Sequence, residues 1–290
     1  MITIRLLTSS YIYFLFVLLI FAAVIGSFLN VVIYRLPIMI YRTMQEECLD
    51  FLHQAPPPQK IVFNLLHPAS HCPKCKAGIA WWQNIPIISF IFLCGRCHNC
   101  KAKISWRYPF IELLTVLSSL FVLCKLGMTA QAMAILCLTW GLIPLVFIDF
   151  NEQVLPDILL LPLLWVGLLL NTLHLFTTPE NAILGAVSGY LSLWIISVLF
   201  KFIRKIDGMG NGDFKLFALF GAWFGWQILP FIILLASLVG AVIGVTLIIC
   251  KKLEFGKPMP FGPYIIAAGW SCIFYGENIT HWFFKLINLC

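Results

Sequence analysis

The sequence predicts an all-α integral membrane protein with about eight transmembrane helices and a small zinc-binding cytoplasmic domain inserted between the first and second spans. Three observations carry this expectation. Of the 290 residues, 61% are apolar and only 11% charged, with a mean hydropathy of +0.96, far from a soluble composition. The apolar residues fall in runs of roughly 20, the length an α-helix needs to cross a hydrocarbon core about 30 Å thick. One long polar stretch, 34–108, breaks the pattern and carries a cluster of five cysteines.

Taken in order, the first apolar run covers 11–33. It continues through "GSFLNVVIYRLP" (26–37) with no small-residue cleavage site, so it is expected to remain as an anchor. Residues 34–108 form the one segment suited to folding in water. At this length an apolar core alone is marginal, and a metal or a membrane platform helps. Its "APPPQK" marks a stiff, extended linker at prolines 56–58, and no internal repeat is evident. The remaining runs, 109–126, 130–148, 158–175, 182–203, 213–226, 229–250 and 262–284, make a seven-helix membrane domain over 109–290. The run at 213–226 is short, so it is expected to tilt or to be shielded by its neighbours.

The net charge of +7 does not point to nucleic acid, because the cations mark topology. Arg35, Arg42, Lys60, Lys74, Lys76, Arg96, Lys101, Lys103 and Arg107 lie in the polar segment. Lys201, Arg204, Lys205 and Lys215 lie in one later loop, and Lys251, Lys252 and Lys257 in another. The opposite loops hold little beyond Lys125, with Arg5 and Lys285 at the ends. The positive-inside rule makes the rich side cytoplasmic.

"HCPKC" and "CGRCHNC" supply Cys72, Cys75, Cys94, Cys97 and Cys100, two knuckles at the spacing of a structural zinc site. Thiolate is a soft, charged donor, and four of them close a tetrahedron with no place for water. Spacing alone leaves open whether Cys94/Cys97 or Cys97/Cys100 is the second knuckle. His71 and His98 read as surface histidines; Cys124, Cys137, Cys250 and Cys272 read as packed thiols, and Cys48 and Cys290 have no evident partner.

An ionised carboxylate is costly in a bilayer, so each acid near a span invites an explanation. Asp149 ends the third span and Asp213 begins the sixth, which puts both at the cytoplasmic edge. Two such carboxyls share a proton when close, because ionising both is unfavourable. The ionised member then takes a proton from a water attacking a peptide carbonyl, while the protonated one polarises that carbonyl. In "GMGNGDFKL", Gly208, Gly210 and Gly212 permit positive φ and let a substrate backbone approach Asp213. Lys215 reaches toward the interface, where it is placed to meet substrate. Asp157, after Pro156, reads as a helix cap, and Glu112 as the partner of Arg107 or another cation. Glu152, Asp207, Glu254, Glu180 and Glu277 read as solvated.

Read together, "GSFLNVVIYRLP", "HCPKC", "NIPIISF", "CHNCKAKISWRYPFIELL", "IDFNEQVLPDILLLP", "GMGNGDFKLFALFGAWFG" and "PFGPYIIAAG" resemble the type IV prepilin peptidases over nearly the whole chain. The resemblance implies an inner-membrane aspartyl endopeptidase that removes the short basic leader of prepilins and type II secretion pseudopilins on the cytoplasmic side. It also implies N-methylation of the new terminus with S-adenosylmethionine. It assigns catalysis to Asp149 and Asp213, and zinc to Cys72, Cys75, Cys97 and Cys100, leaving out Cys94. Gln83, where an acid is common, and Leu160, where a hydroxyl residue is frequent, depart from the family pattern. A second reading, a proton- or metal-coupled transporter with a cytoplasmic zinc domain, requires acids near mid-membrane rather than at one edge.

Overall fold

The structure, a computed structural model, describes residues 2–54, 63–206, 208–250 and 259–287, without the side chains of 2–12, Trp81 and 276–287. The expectations for prolines 56–58, Lys60, Asp207, Lys251, Lys252, Glu254, Lys257 and Cys290, and for the side chains of Arg5, Glu277 and Lys285, lie outside the described residues. The fold is all-helical, and its only strand-like pairing among the described residues is two isolated bridges, His71 with Gly78 and Arg96 with Lys103. Among the described residues, five helices are long and apolar enough to cross a membrane: Tyr13–Phe51, Arg107–Leu126, Ala130–Glu152, Pro179–Arg204 and Trp226–Ile249. The shorter apolar helix Asp157–Thr172, the 14-residue helix Asn211–Phe224 and Gly262–Ile287 occupy the other three expected runs. The chain divides into two compact units, Met1–Met128 and Thr129–Cys290.

In the first unit α1 (Ile2–Phe51) is a single helix of 50 residues, about 75 Å long at 1.5 Å per residue. It therefore continues well beyond any bilayer, through Pro37, where the sequence reading had the polar segment begin at 34. α3 (Arg107–Leu126) packs along it. The two backbones approach at Gly26, where a Cβ would fall 2.9 Å from Glu112 Cα. A small residue at the contact is how helices associate in lipid, where apolar surface gains nothing from leaving the solvent. Asn30 adds a cross-link, its Nδ2 donating to Gly26 O and Tyr108 O at 3.2 Å each. Further along α1, buried Arg35 donates to the carbonyls of Asn64, Leu65 and Pro68, and Arg42 sits 4.4 Å over the Phe63 ring. These contacts tie the returning chain to the extended helix. Among the described residues Glu112 takes no cation: its Oε2 accepts the Ile87 N–H at 2.7 Å, which corrects the expected pairing with Arg107 or another cation. This contact secures the residue before α2 (Ile88–Phe92).

In the second unit α5 (Asp157–Thr172), α6 (Pro179–Arg204), α8 (Leu229–Ile249) and α9 (Gly262–Ile287) gather round α7 (Asn211–Phe224), and α4 (Ala130–Glu152) joins them by packing on α9 and α5. Every residue of α7 from Leu216 to Trp223 is buried, so its neighbours shield its short length from lipid. α6 meets α7 through Gly185 and Gly221, each backbone standing where the other's Cβ would be. Fully buried Asn171 fastens the far end: its Nδ2 donates to Ala222 O and Trp223 O at 2.9 Å each, and its Oδ1 accepts from Phe176 N and Thr177 N at 3.1 Å each. A buried amide with all four partners holds one geometry, because any other leaves polar groups unpaired.

Candidate active site and thiolate centre

Asp149 lies in the last turn of α4. Its backbone carbonyl accepts from Gln153, which ends the helix in the left-handed conformation at φ 55°. Asp213 lies in the first turn of α7, where the positive end of the helix dipole favours a carboxylate. Its own N–H donates to Gly210 O at 3.1 Å, and its Oδ2 lies 3.7 Å from where a Cβ on Gly210 would be. Both acids are buried, at 5% and 8% exposure.

α4 and α7 owe their relation to two intermediaries rather than to extensive mutual packing. At the start of α9, Gly262 lies against the Asp149 carboxyl: a Cβ on Gly262 would fall 2.5 Å from Asp149 Oδ2 and 3.3 Å from Leu155 Cδ1. Leu155, before α5, in turn lies where a Cβ on Gly212 would come within 2.7 Å of it. This path of contacts, Asp149 to Gly262 to Leu155 to Gly212, brings the two aspartates into one cluster, and Asp213 lies in the electrostatic field of Asp149. Asp149 Oδ2 is buried with no hydrogen-bond partner among the described residues. An orphaned carboxylate oxygen of this kind is available to a water or a shared proton.

The glycines serve differently from the expectation. None of Gly208, Gly210 and Gly212 has positive φ, which corrects that part of the reading. Gly208 and Gly212 are small because Phe200 and Leu155 come to 2.6 Å and 2.7 Å of their Cβ positions, whereas a Cβ on Gly210 would make ordinary contact, 3.7 Å from Asp213 Oδ2. Lys215 Nζ is held by Asp157, at 2.8 Å from Oδ1 and 2.6 Å from Oδ2, with the two side chains 29% and 51% exposed. Pro156, not Asp157, is the N-cap of α5, and no side chain caps it, which corrects the expected cap: Asp157 faces a cation across the α5–α7 contact instead. Gly262 and Leu155 escaped the sequence reading as site residues; "PFGPY" and "VLPD" carried them in view, but only the fold aligns them.

In the first unit the Sγ atoms of Cys72, Cys75, Cys97 and Cys100 all lie within 4.8 Å of one another. Cys72 and Cys100 are 3.8 Å apart. A tetrahedron with metal–sulfur bonds of about 2.3 Å places its sulfurs about 3.8 Å apart, so the four thiols fit a metal. Cys94 lies outside the cluster, His71 turns Nδ1 to Ala69 O, and His98 stands edge-on to Trp82.

The two knuckles are one device used twice, 25 residues apart. Cys72 N and Cys97 N donate to Ala77 O and Ala102 O, Lys76 N and Lys101 N to the first cysteine's carbonyl, and Ile79 N and Ile104 N to Ser70 O and Gly95 O. Lys76 and Lys101 both turn at positive φ, 59° and 55°. The signal was present in "CKAGI" and "CKAKI", a short repeat the sequence reading passed over. The amides of Cys75 and then Lys74 hold the Cys72 thiol down at about 6. At Cys100 the Ala102 amide acts in the same sense, but partial desolvation and three neighbouring sulfurs outweigh it and lift the thiol to about 11. Sulfurs this crowded become thiolates together only around a cation. For a methyl donor the described residues present no constellation of comparable definition.

Two family models match the chain, the bacterial peptidase A24 N-terminal domain over 20–126 and the type IV leader peptidase family over 136–245. Similar curated proteins include prepilin leader peptidase/N-methyltransferases of Stutzerimonas stutzeri, 48% identical over 98% of each chain, and Pseudomonas aeruginosa, 50% identical over 88% of each. Another, from Aeromonas salmonicida, is 47% identical over 96% of each. No solved structure matches. With near-complete coverage at this identity, and with both motif clusters gathered by the fold, the chain belongs to the type IV prepilin leader peptidase/N-methyltransferase family.

Proposed function

We propose that this chain is a multi-pass inner-membrane aspartyl endopeptidase that cuts the leader from type IV prepilins and type II secretion pseudopilins on the cytoplasmic side. In this reading α1 and α3–α9 make the eight spans, the segment 34–108 holds one structural zinc on Cys72, Cys75, Cys97 and Cys100, and the protease lies in 109–290. What supports it most is the burial of two aspartates in one cluster, with Asp149 Oδ2 left unpartnered. One carboxylate accepts a proton as water attacks the scissile carbonyl while the other, protonated, gives its proton to the carbonyl oxygen; the first then passes its proton to the departing amine as the second takes one back from the collapsing gem-diol. Low local polarity strengthens each of these interactions. Gly208, Gly210, Gly212 and Lys215 neighbour Asp213 in sequence and are assigned to the substrate. The names of the relatives support a second activity, methylation of the new terminus with S-adenosylmethionine as donor.

The test is to incubate the purified chain with a prepilin and S-adenosylmethionine and read the product by mass spectrometry. The expected product starts immediately after the leader's last residue and gains the mass of one CH2, a methyl replacing a hydrogen, only when the donor is present. An intact prepilin would remove the peptidase reading, and a cleaved but unmodified terminus would remove the methyl transfer alone.

A further inference from the structure

The first unit contains a cleft of about 490 Å³ that the peptidase reading leaves unused. Phe90, Ile91, Ile104 and Trp106 wall it, and Arg96 and Lys103 contribute its charge. The Phe90 and Trp106 rings lie 4.9 Å apart at 58°. Along α2 and at Trp106 the chain displays apolar side chains: Ile91 is 67% exposed, Phe92 81% and Trp106 76%. A soluble surface rarely carries such a group without a partner.

The position of Trp106 indicates what that partner is. Trp106 is the N-cap of α3, and the candidate span begins at the next residue, Arg107. A tryptophan bordering a span sits at headgroup depth, where its apolar ring and polar N–H are both satisfied. The cleft it lines therefore opens at that same layer.

The cations point the same way. The bridge between Arg96 and Lys103 sets them opposite one another, an arrangement in which like charges repel. Among the described residues no carboxylate pairs with either. An anion between them relieves the repulsion, and at headgroup depth the abundant anion is a lipid phosphate.

We propose that α2 and Trp106 form an interfacial foot dipping into the leaflet in which α3 begins, and that Arg96 and Lys103 hold the phosphate of an anionic phospholipid above it. Apolar residues buried at the acyl boundary beneath a basic face are how non-spanning segments bind membranes. The foot fixes the depth of the double knuckle, whose second half contains the bridge that carries both cations.

Two measurements on the full chain test this. First, p-benzoyl-phenylalanine replaces Phe92, the protein is placed in nanodiscs of phosphatidylcholine and phosphatidylglycerol, and photoadducts are identified by mass spectrometry. Lipid adducts are expected; adducts to peptide, or none, overturn the foot. Second, native mass spectrometry counts retained phosphatidylglycerol in the wild type, in Arg96→Gln/Lys103→Gln, and in the charge-keeping Arg96→Lys/Lys103→Arg. Retention is expected to fall roughly fivefold per cation removed and to return in the charge-keeping variant, with phosphatidylcholine unchanged. Equal retention in all three overturns the headgroup site. Full displacement of the lipid by millimolar inorganic phosphate would instead make it a site for free phosphate and overturn the lipid assignment. Metal content reports knuckle folding in every variant, and the photoadduct measurement stands if the double glutamine variant fails to fold.

Discussion

Gly262→Ala is the substitution for which the structure gives the sharpest expectation. The new Cβ falls 2.5 Å from Asp149 Oδ2, 3.2 Å from Asp149 Cγ and 3.3 Å from Leu155 Cδ1. Restoring an ordinary separation of about 3.5 Å requires the carboxylate to retreat by about 1 Å, since Leu155 blocks the other direction. Overpacking of this size costs roughly 1–3 kcal/mol of stability, which a well-buried bundle survives. A misplacement of about 1 Å in a reacting group costs roughly 100-fold in rate. The variant should therefore insert, purify as a monodisperse protein, and show kcat/KM for prepilin cleavage reduced about 100-fold, with the loss in kcat. Gly240→Ala is the control: its Cβ makes ordinary contact, 3.4 Å from Tyr264, so activity should stay within about threefold. Wild-type kcat/KM in a folded Gly262→Ala protein would refute the role assigned to the α9 entry in setting Asp149.

Three further outcomes follow from the same geometry. Asn171→Leu strips four hydrogen bonds from a fully buried site, so the variant should lose about 3 kcal/mol or more, read as unfolding at a lower fraction of denaturing detergent. An unchanged transition would mean that the amide does not fasten α5 to α7. Cys97→Ser should drop metal content from about one zinc per chain toward none and expose the 63–106 segment to protease, while prepilin cleavage falls less than it does in an aspartate variant; a variant that keeps full metal content contradicts the tetrathiolate. Asp157→Asn should change stability by no more than about 1 kcal/mol, because the Lys215 pair is half-exposed and screened, and a larger loss in a denaturation series would contradict that.

The parts of the molecule governed by local rules were legible in the sequence. Run length and composition gave the helical membrane class, and the C-x2-C spacing with the family resemblance gave the four thiols that gather within 4.8 Å. Asp149 and Asp213 were picked out because an acid beside an apolar run is costly wherever the helices end up. What stayed hidden depends on contacts between distant segments. The glycines of "GMGNGD" suggested backbone freedom, but two of them are small to admit Phe200 and Leu155, a demand set by α6 and by the turn before α5. Glu112 has Arg107 nearby in sequence, yet a backbone amide brought in from Ile87 takes its oxygen. The extension of α1 to Phe51 was masked because its outer turns are polar, and a helix tied to a returning loop by Arg35 needs no apolar run.

The central claim is that cleavage depends on Asp149 and Asp213 together, and replacing each singly by asparagine tests it most directly. Asn keeps the size of the side chain and its place in the bundle, but holds no exchangeable acid proton. With the same prepilin and mass-spectrometric readout of the product terminus, the account predicts that the wild type yields the mature terminus. Asp149→Asn and Asp213→Asn, inserted normally and with metal retained, should yield none. Mature product from either variant at a rate comparable to the wild type would contradict it.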